Sequence, residues 1–304
     1  NKLMKGFIGS GNIDTNSRLC MSSAVAGHKR AFGSDTVPCS YADLEHAELI
    51  VLAGSNTAWC HPVLYQRIVQ ARQDNPALRV VVIDPRRTGT CDVADLHLAI
   101  APGADATLFN GLLVHLAGHG AADAGFLQRS VDGVNDALAA ARAYAPDLDS
   151  VARRCGLSGE ELTAFYWLFA RTERVVTVYS QGVNQFSMGT DKVNSIINCH
   201  LYTGRIGRAG MGPFSMTGQP NAMGGREVGG LANQLAAHMD LDDPGHTELV
   251  RRFWQAPALA DRPGLKAVDL FQAIETGQVK ALWVMATNPA VSLPDSDRVR
   301  RALE

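Results

Sequence analysis

The chain has 304 residues, of which 46% are hydrophobic and 19% charged, and its formal net charge is −2. This composition is typical of a folded globular protein, and the length suits two domains or one large α/β domain. The near-neutral charge, without a long Lys/Arg run, argues against a nucleic-acid or membrane-surface partner. The longest apolar runs are too short to cross a bilayer.

The first half of the chain predicts alternating strands and helices. ELIVLAG (48–54), RVVVIDP (79–85) and LHLAI (96–100) read as buried strands, and PVLYQRIVQARQD (62–74) reads as a helix with proline in its first turn. This order predicts a parallel sheet with right-handed crossovers. Further helical patterns cover 105–118, 134–143 and 158–171.

The second half predicts one more strand of this sheet and then a second α/β unit. RVVTVYS (174–180) is the strand. Beyond a glycine-rich region, a helix is predicted over 268–277 and a strand plus loop over 279–289, and PDSDRVRRALE reads as a final helix. We therefore expect an α/β fold with a Rossmann-like parallel-sheet domain and part of a second α/β unit.

Six cysteines are scattered at positions 20, 39, 60, 91, 155 and 199, and none forms a CxxC pair. Their spacing suits neither a zinc site nor a local cluster. Scattered cysteines favour a reducing compartment, so we expect the cytoplasm. Taken alone, the stretch around Cys20 favours a buried, inert thiol.

Four polar loops directly follow predicted strands: GSNTAWCHP, DPRRTGT, SQGVNQ and ATNP. Ligands of open α/β sheets bind at the carboxyl ends of strands, so we expect these loops on one rim. Arg86 and Arg87 suit phosphate, Asp84 suits ribose hydroxyls, and Asp105 offers two acceptors to the N1–H and N2–H₂ groups of guanine. Each loop alone is more readily a polar turn, but together they indicate a nucleotide-type ligand.

The stretch 204–230 holds nine of the chain's 29 glycines. Glycine at this density costs backbone entropy, so a packed domain keeps it where a ligand approaches the backbone closely. Gln219, Asn221 and Arg226 stand between the glycines and offer donors to a polar or anionic ligand. A flexible surface loop is the alternative, although the apolar Phe214, Met216 and Met223 favour a packed one.

These segments resemble those of the bis-molybdopterin-guanine-dinucleotide oxidoreductases, in one order along essentially the whole chain. Within that family the chain is most similar to the assimilatory nitrate reductase type of catalytic subunit. The resembling stretches are NIDTNSRLCMSSAVAGHKRAFGSD, VLAGSNTAWCHPVLYQRI, VIDPRRT, APGADA, SQGVNQFSMGTDKVNSIINCHLYTGRIG, PFSMTGQPNAMGGREVGGLANQL and ALWVMATNPAVSLPDSDRVRRAL.

The resemblance implies a molybdenum enzyme that transfers an oxygen atom from nitrate and releases nitrite. Its cofactors would be molybdenum and bis-molybdopterin guanine dinucleotide, together with a 4Fe–4S cluster, and its partner an electron-donor protein or reductase subunit. It implies the fold of the family's central domains. Residues 1–40 would carry the ligand cysteine, 41–175 a dinucleotide-binding domain, and 176–304 the pterin and substrate loops with a second dinucleotide-binding unit.

Particular residues take roles through this resemblance. Cys20 becomes the thiolate ligand of molybdenum, which suits a soft metal site. Arg226 lies near the substrate funnel, where a cation attracts nitrate, and Gln219 belongs to the same catalytic loop. The implied cofactor-binding residues are Ser55, Asn56, Thr57, His61, Asp84, Pro85, Arg86, Gly103, Asp105, Gln181, Gly182, Asn184, Gly218, Gln219, Asn221, Thr287 and Asn288.

Several alternatives stay open. A formate dehydrogenase of the same family typically has His after its metal-ligating residue, whereas Met21 follows Cys20 here. A periplasmic nitrate reductase is similar in sequence too. A non-catalytic paralogue is expected to lose Cys20, Gln219 and Arg226, all of which are present. An NAD-dependent dehydrogenase is disfavoured because GSNTAW lacks the GxGxxG pattern.

The sequence departs from the family pattern at both ends. The cysteine cluster for the 4Fe–4S centre and the C-terminal domain over the dinucleotides are not found in it, and we expect the sequence to be an internal piece of a longer protein. We therefore predict that the 304-residue chain alone holds no cofactor firmly and has no turnover. Metal analysis of the purified chain should find far less than one molybdenum per polypeptide, and a near-stoichiometric content would contradict this.

Overall fold

A computed structural model describes residues 1–219 and 221–304. Its internal contacts divide the chain into two compact units. We call Ser23–Gly218 the sheet unit; Asn1–Ser22 together with Gln219–Glu304 form the terminal unit. The domain boundaries predicted near residues 40 and 175 were based on ligand-binding roles and not on contacts within the chain, and they stay a prediction.

The sheet unit is built on five parallel strands in the order β3-β2-β1-β4-β5. β1 and β4 are buried along their whole length because they are runs of apolar, largely β-branched residues covered on both faces. The strands are β1 (Leu49–Ala53), β2 (Arg79–Ile83), β3 (Leu96–Leu98), β4 (Val175–Tyr179) and β5 (Gly212–Ser215).

Two helices of the sheet unit begin as their sequences suggest. α4 carries Pro62 in its first turn, and α9 begins with a capping box between Ser158 and Glu161. The helices are α1 (Ser17–Phe32), α2 (Asp43–His46), α3 (Thr57–Cys60), α4 (Pro62–Asp74), α5 (Asp105–Gly118), α6 (Ala124–Ser130), α7 (Val134–Tyr144), α8 (Leu148–Cys155), α9 (Gly159–Arg171), α10 (Gln181–Asn184), α11 (Gly189–Tyr202), α12 (Ala222–Glu227), α13 (Pro244–Trp254), α14 (Ala267–Glu275), α15 (Pro289–Ser292) and α16 (Ser296–Leu303). A π-helix covers Lys2–Ile8, and 3₁₀ turns cover Gly89–Val93 and Ala236–His238.

Each unit has its own hydrophobic core. In the sheet unit, Ile50 and Leu52 of β1 pack with Ile68 of α4. In the terminal unit, Leu235 and Trp254 belong to one buried cluster. Among the described residues, no helix is both long and apolar enough to span a membrane.

The predicted α/β order is confirmed for the sheet unit. The strands predicted over 48–54, 79–85, 96–100 and 174–180 all form, and the helices over 62–74 and 105–118 have the predicted bounds. β5 was not predicted, because its Gly-Pro-Phe-Ser sequence lies inside the glycine-rich stretch.

The strand predicted over 279–289 is wrong, since the structure has no strand there. Trp283 is 71% exposed and Met285 61% exposed. A strand forms only against a hydrogen-bonded neighbour, and within the described residues none pairs with this run. The ATNP loop therefore follows no strand, and only three of the four polar loops stand at the carboxyl edge of the sheet.

The ends of β1 and β4 meet at two glycines. Gly182 N–H donates to the Gly54 carbonyl over 3.0 Å. A Cβ on Gly54 would lie 2.8 Å from the Gly182 carbonyl carbon, and Gly54 has φ +54°. Both positions therefore need glycine, and the two loops are fixed backbone to backbone.

We predict that Gly54→Ala destabilises the protein more than Gly120→Ala does. Both substitutions place alanine at positive φ, which costs about 1–2 kcal/mol. Gly120 has open space around its Cα, whereas Gly54 adds an overlap that costs about 1–3 kcal/mol more. Urea unfolding of the two variants measures the difference, and equal losses would contradict the close approach.

His200 is a fully buried histidine in α11. Its Nδ1 lies 3.2 Å from the Arg205 carbonyl and its Nε2 lies 2.8 Å from the Thr177 hydroxyl. A carbonyl only accepts, so Nδ1 carries the proton and Nε2 accepts from the hydroxyl. Burial, followed by the nearby Arg205 charge, lowers the pKa of His200 from 6.5 to about 3.

This lowered pKa predicts acid sensitivity. The unfolded chain protonates His200 near pH 6.5 while the folded chain does not, so the contribution to stability is complete above pH 6.5 and is lost as the pH falls toward 3. The free energy of unfolding should fall by up to about 1.4 kcal/mol per pH unit from this group. Denaturant titrations between pH 7 and 4 test this: His200→Gln should flatten the loss, whereas His46→Gln, at an exposed position, should not.

Candidate functional site

The carboxyl edge of the sheet carries a chain of buried hydroxyl groups. Ser55 Oγ lies 2.9 Å from Thr57 Oγ1 and 3.1 Å from Ser180 Oγ. Ser180 Oγ donates to the Met216 carbonyl over 3.0 Å. These bonds tie the loops after β1, β4 and β5 together, so the edge is a fixed surface rather than a set of independent turns.

Asn56 and His61 frame the loop after β1. The Thr90 hydroxyl donates to Asn56 Oδ1 over 3.0 Å, and His61 Nε2 donates to the Thr217 carbonyl over 3.0 Å. His61 Nδ1 is buried and has no hydrogen-bond partner among the residues that the structure describes. A buried polar atom without a partner is costly, so His61 Nδ1 is an acceptor available to a ligand.

The loop after β2 is shaped by Asp84. Its carboxylate accepts the Arg86 backbone N–H over 2.8 Å, and its carbonyl accepts from His97 Nε2 over 2.9 Å. Pro85 and the side chains of Arg86 and Arg87 stand exposed at the end of the strand. The turn thus aims cationic side chains outward, as an anion-binding edge requires.

The loop after β3 leads to Gly103 and Asp105. Asp105 is the first residue of α5, and its carboxylate forms a buried ion pair with Lys192 at 2.7 Å. Sequence reasoning chose Asp105 but missed Lys192. No local signal marks a lysine in an amphipathic helix as buried.

The loop after β4 supplies Gln181, Gly182 and Asn184 in the short helix α10. Gly182 is exposed, Gln181 is partly buried and Asn184 is 2% exposed. Gly218 stands exposed after β5, where a Cβ would come no closer than 4.0 Å to Gln181 Nε2. Small residues at these strand ends leave the backbone open to a ligand.

In the terminal unit, Cys20 is half-buried on α1. Asp14, just before this helix, pairs with Arg18 at 3.0 Å and accepts the backbone N–H groups of Ala232 and Ala267. The helix that carries the thiol is therefore fixed to two distant segments. The NID sequence gave no sign of this role.

The Gln219–Arg226 loop is held by buried polar contacts of the same unit. Arg226 is 4% exposed, its guanidinium contacts the Met223 sulfur, and its carbonyl accepts from Gln234 Nε2 over 3.3 Å. Lys5 is fully buried and donates to the carbonyls of Gly229, Leu231 and Gln234. Burial lowers the pKa of Lys5 to about 8.

Of the remaining predicted residues, Asn221 lies within that loop, and Thr287 and Asn288 lie farther along the chain. Asn221, at φ +55°, caps α12, and exposed Thr287 and Asn288 precede α15. The sheet unit holds Ser55, Asn56, Thr57, His61, Asp84, Pro85, Arg86, Gly103, Asp105, Gln181, Gly182, Asn184 and Gly218, and the terminal unit holds Cys20, Gln219, Asn221, Arg226, Thr287 and Asn288.

These residues fit a large anionic cofactor better than a bare metal ion. Within the described part of the chain, no group of three or more His, Cys, Asp or Glu side chains is arranged to hold a metal. The open glycine backbone, the unpartnered His61 Nδ1 and the exposed Arg86 suit the phosphates and bases of such a group.

Comparison with known proteins agrees with this geometry. The model of the molybdopterin oxidoreductase family matches residues 1–304. A nitrate reductase of Klebsiella oxytoca is 59% identical over 304 residues, which are all of this chain and 34% of that protein. A nitrate reductase of Shewanella frigidimarina is 52% identical over 303 residues, or 32% of its length.

A solved structure shares the fold. Acetylene hydratase from Pelobacter acetylenicus superposes with a TM-score of 0.69 at 18% sequence identity, covering 97% of this chain and 42% of that one. The chain thus spans about a third of the length of the two nitrate reductases it matches. Since the family model covers every residue, the chain belongs to the molybdopterin oxidoreductase family.

Proposed function

We propose that this chain is part of the catalytic subunit of a molybdenum-dependent nitrate reductase, which reduces nitrate to nitrite. The relatives named above support the substrate. The observation that carries the proposal is the anchoring of two reactive groups in the terminal unit. Asp14 fixes the helix of Cys20 to the backbone at Ala232, and Gln234, two residues later, bonds the Arg226 carbonyl.

Each group has a defined task in this proposal. Cys20 offers the single soft protein ligand that a dithiolene-held metal needs. When bound, the molybdenum cofactor supplies the two-electron redox chemistry, while the protein supplies ligand, orientation and field. Nitrate, two electrons and two protons give nitrite and water. Arg226, a cation fixed among buried contacts, attracts nitrate and orients it.

The sheet unit would hold one guanine dinucleotide of a bis-molybdopterin cofactor. Exposed Arg86 pairs with phosphate, Asp84 accepts from ribose, and Asp105 accepts from guanine. Gly54 and Gly182 fix the two loops to each other, and exposed Gly218 leaves its backbone open to the ligand. In the terminal unit, Thr287 and Asn288 would contact the second dinucleotide.

On the sequence resemblance alone, we also propose a 4Fe–4S cluster, an electron-donor protein or reductase subunit, and an assimilatory role in the cytoplasm. In the described residues the six cysteines form no disulfide, which agrees with a reducing compartment.

We predict that Cys20→Ala in the intact gene product abolishes nitrate reduction with a reduced viologen dye, lowering kcat at least about 100-fold. Removing the protein thiolate that would bind the metal would change the charge and coordination of that metal. Cys60→Ala removes an exposed thiol and should keep activity. Molybdenum and nucleotide content, measured on each variant, separate loss of chemistry from loss of cofactor.

Two results would decide against the proposal. Nitrate activity in Cys20→Ala equal to that of wild type would remove Cys20 from the mechanism. Formate oxidation by the wild type without nitrate reduction would replace nitrate reductase with a formate dehydrogenase of the same family.

A further inference from the structure

Lys192 is a buried cation to which the proposed function gives no task, although its partner Asp105 belongs to the site. Its side chain is 2% exposed, and its Nζ lies 2.7 Å from Asp105 Oδ2. It belongs to α11, whereas Asp105 begins α5, and these two helices pack against each other in the sheet unit. Burying an ammonium is costly unless it is paired, so Asp105 and Lys192 depend on each other.

Phe186 covers this ion pair. The Lys192 ammonium lies 3.8 Å from the centre of the Phe186 ring, a cation–π contact. The ring also lies against Gly103, where a Cβ would come within 3.3 Å of Phe186 Cζ. Phe186 itself is 45% exposed, so one side of the ring faces the lysine while the rest meets solvent.

The charge on Asp105 also acts on a neighbour. The pKa of the Cys155 thiol is raised to about 12, mainly by burial and then by the negative charge of Asp105. Cys155 donates toward the Ala104 carbonyl and does not compensate the carboxylate. Lys192 is thus the cation that balances Asp105.

An ionised carboxylate paired at one oxygen still has acceptor sites on both oxygens. Its oxygens offer about four lone-pair sites, and Lys192 uses one. Guanine presents two adjacent donors, N1–H and N2–H₂, which match two acceptors. Adenine presents an acceptor beside a donor, which matches a protonated carboxyl group or an amide instead.

We infer that Lys192 is a positioning residue that selects guanine over adenine by holding the Asp105 carboxylate in place as a double acceptor. This inference rests on the guanine dinucleotide of the proposed function. Without Lys192, the buried carboxylate would lose its paired cation, and nothing would hold its two oxygens in register with the two donors of guanine. The preference for guanine would then fall even where the fold survives.

Calorimetric titration of the intact gene product, prepared without its cofactor, with GMP, IMP and AMP tests the inference without any enzyme assay. We expect wild type to bind GMP at least about 10-fold more tightly than AMP, since a charge-assisted hydrogen bond is at stake. IMP, which lacks the 2-amino group, should fall between them. Lys192→Met should weaken the binding of GMP at least about 10-fold and bring the ratio of the GMP and AMP affinities close to one.

Matched variants separate specificity from folding. Lys192→Arg keeps a cation and should keep the guanine preference, as should Lys280→Met at an exposed site. Lys192→Met leaves a buried carboxylate without its cation and is at risk of unfolding, so circular dichroism is measured on each variant. The double variant Asp105→Asn/Lys192→Met buries no charge of this pair and should show no guanine preference.

The outcomes decide between the two proposals. Guanine preference retained in folded Lys192→Met, or in the double variant, overturns the role of Lys192 and leaves the proposed function standing. Equal binding of GMP and AMP by wild type, or no binding of either, overturns the guanine site together with this inference. The nitrate reductase proposal is then decided by the Cys20 assay alone.

Discussion

A glycine-rich segment has few side chains with which to hold itself in place, and here a buried cation fixes the backbone at each of its ends. Lys5 donates to the carbonyls of Gly229, Leu231 and Gln234, near the end of the stretch 204–230. Near its start, Arg205 is buried and donates to the carbonyls of Phe169 and Ala170. Each carbonyl would otherwise be an unsatisfied buried acceptor, and each ammonium or guanidinium an unpaired buried charge. The glycines can stay open to a ligand because their flanks are fixed.

Local pattern was enough to predict the centre of the sheet unit. The strands over 48–54, 79–85 and 174–180 are buried on both faces, so their apolar runs are uninterrupted and easily read. Where a strand forms only against a neighbouring strand, the sequence pattern predicts a strand that does not form and misses one that does. Within the described residues, the apolar run 279–289 has no neighbouring strand to pair with. β5 is a strand because it forms backbone hydrogen bonds with β4. Pairing of this kind is a property of the fold and not of the segment.

The candidate site shows the same limit. Residues that end strands, such as Asn56, Asp84 and Gly182, were predicted because their position follows from the strand itself. Lys5, Asp14 and Lys192 were missed because their partners lie far along the chain; Lys5 reaches Gly229 across 224 positions. A lysine is expected at the surface unless its hydrogen-bond acceptors are known, and the sequence does not identify those acceptors. The buried charges that fix these loops and pair with Asp105 therefore came from the structure alone.

The fold by itself does not choose the reaction. Acetylene hydratase shares this fold at low identity and is named for the hydration of acetylene, so the shared fold does not identify the reaction. Within the sheet unit, the carboxyl edge is fixed by Gly54 and Gly182 and by the hydroxyl chain at Ser55. Under the proposed function, the residues that determine the reaction are instead Cys20 and Arg226, both anchored in the terminal unit. Substituting these two residues is therefore expected to change the reaction while the bonds at the edge of the sheet stay intact.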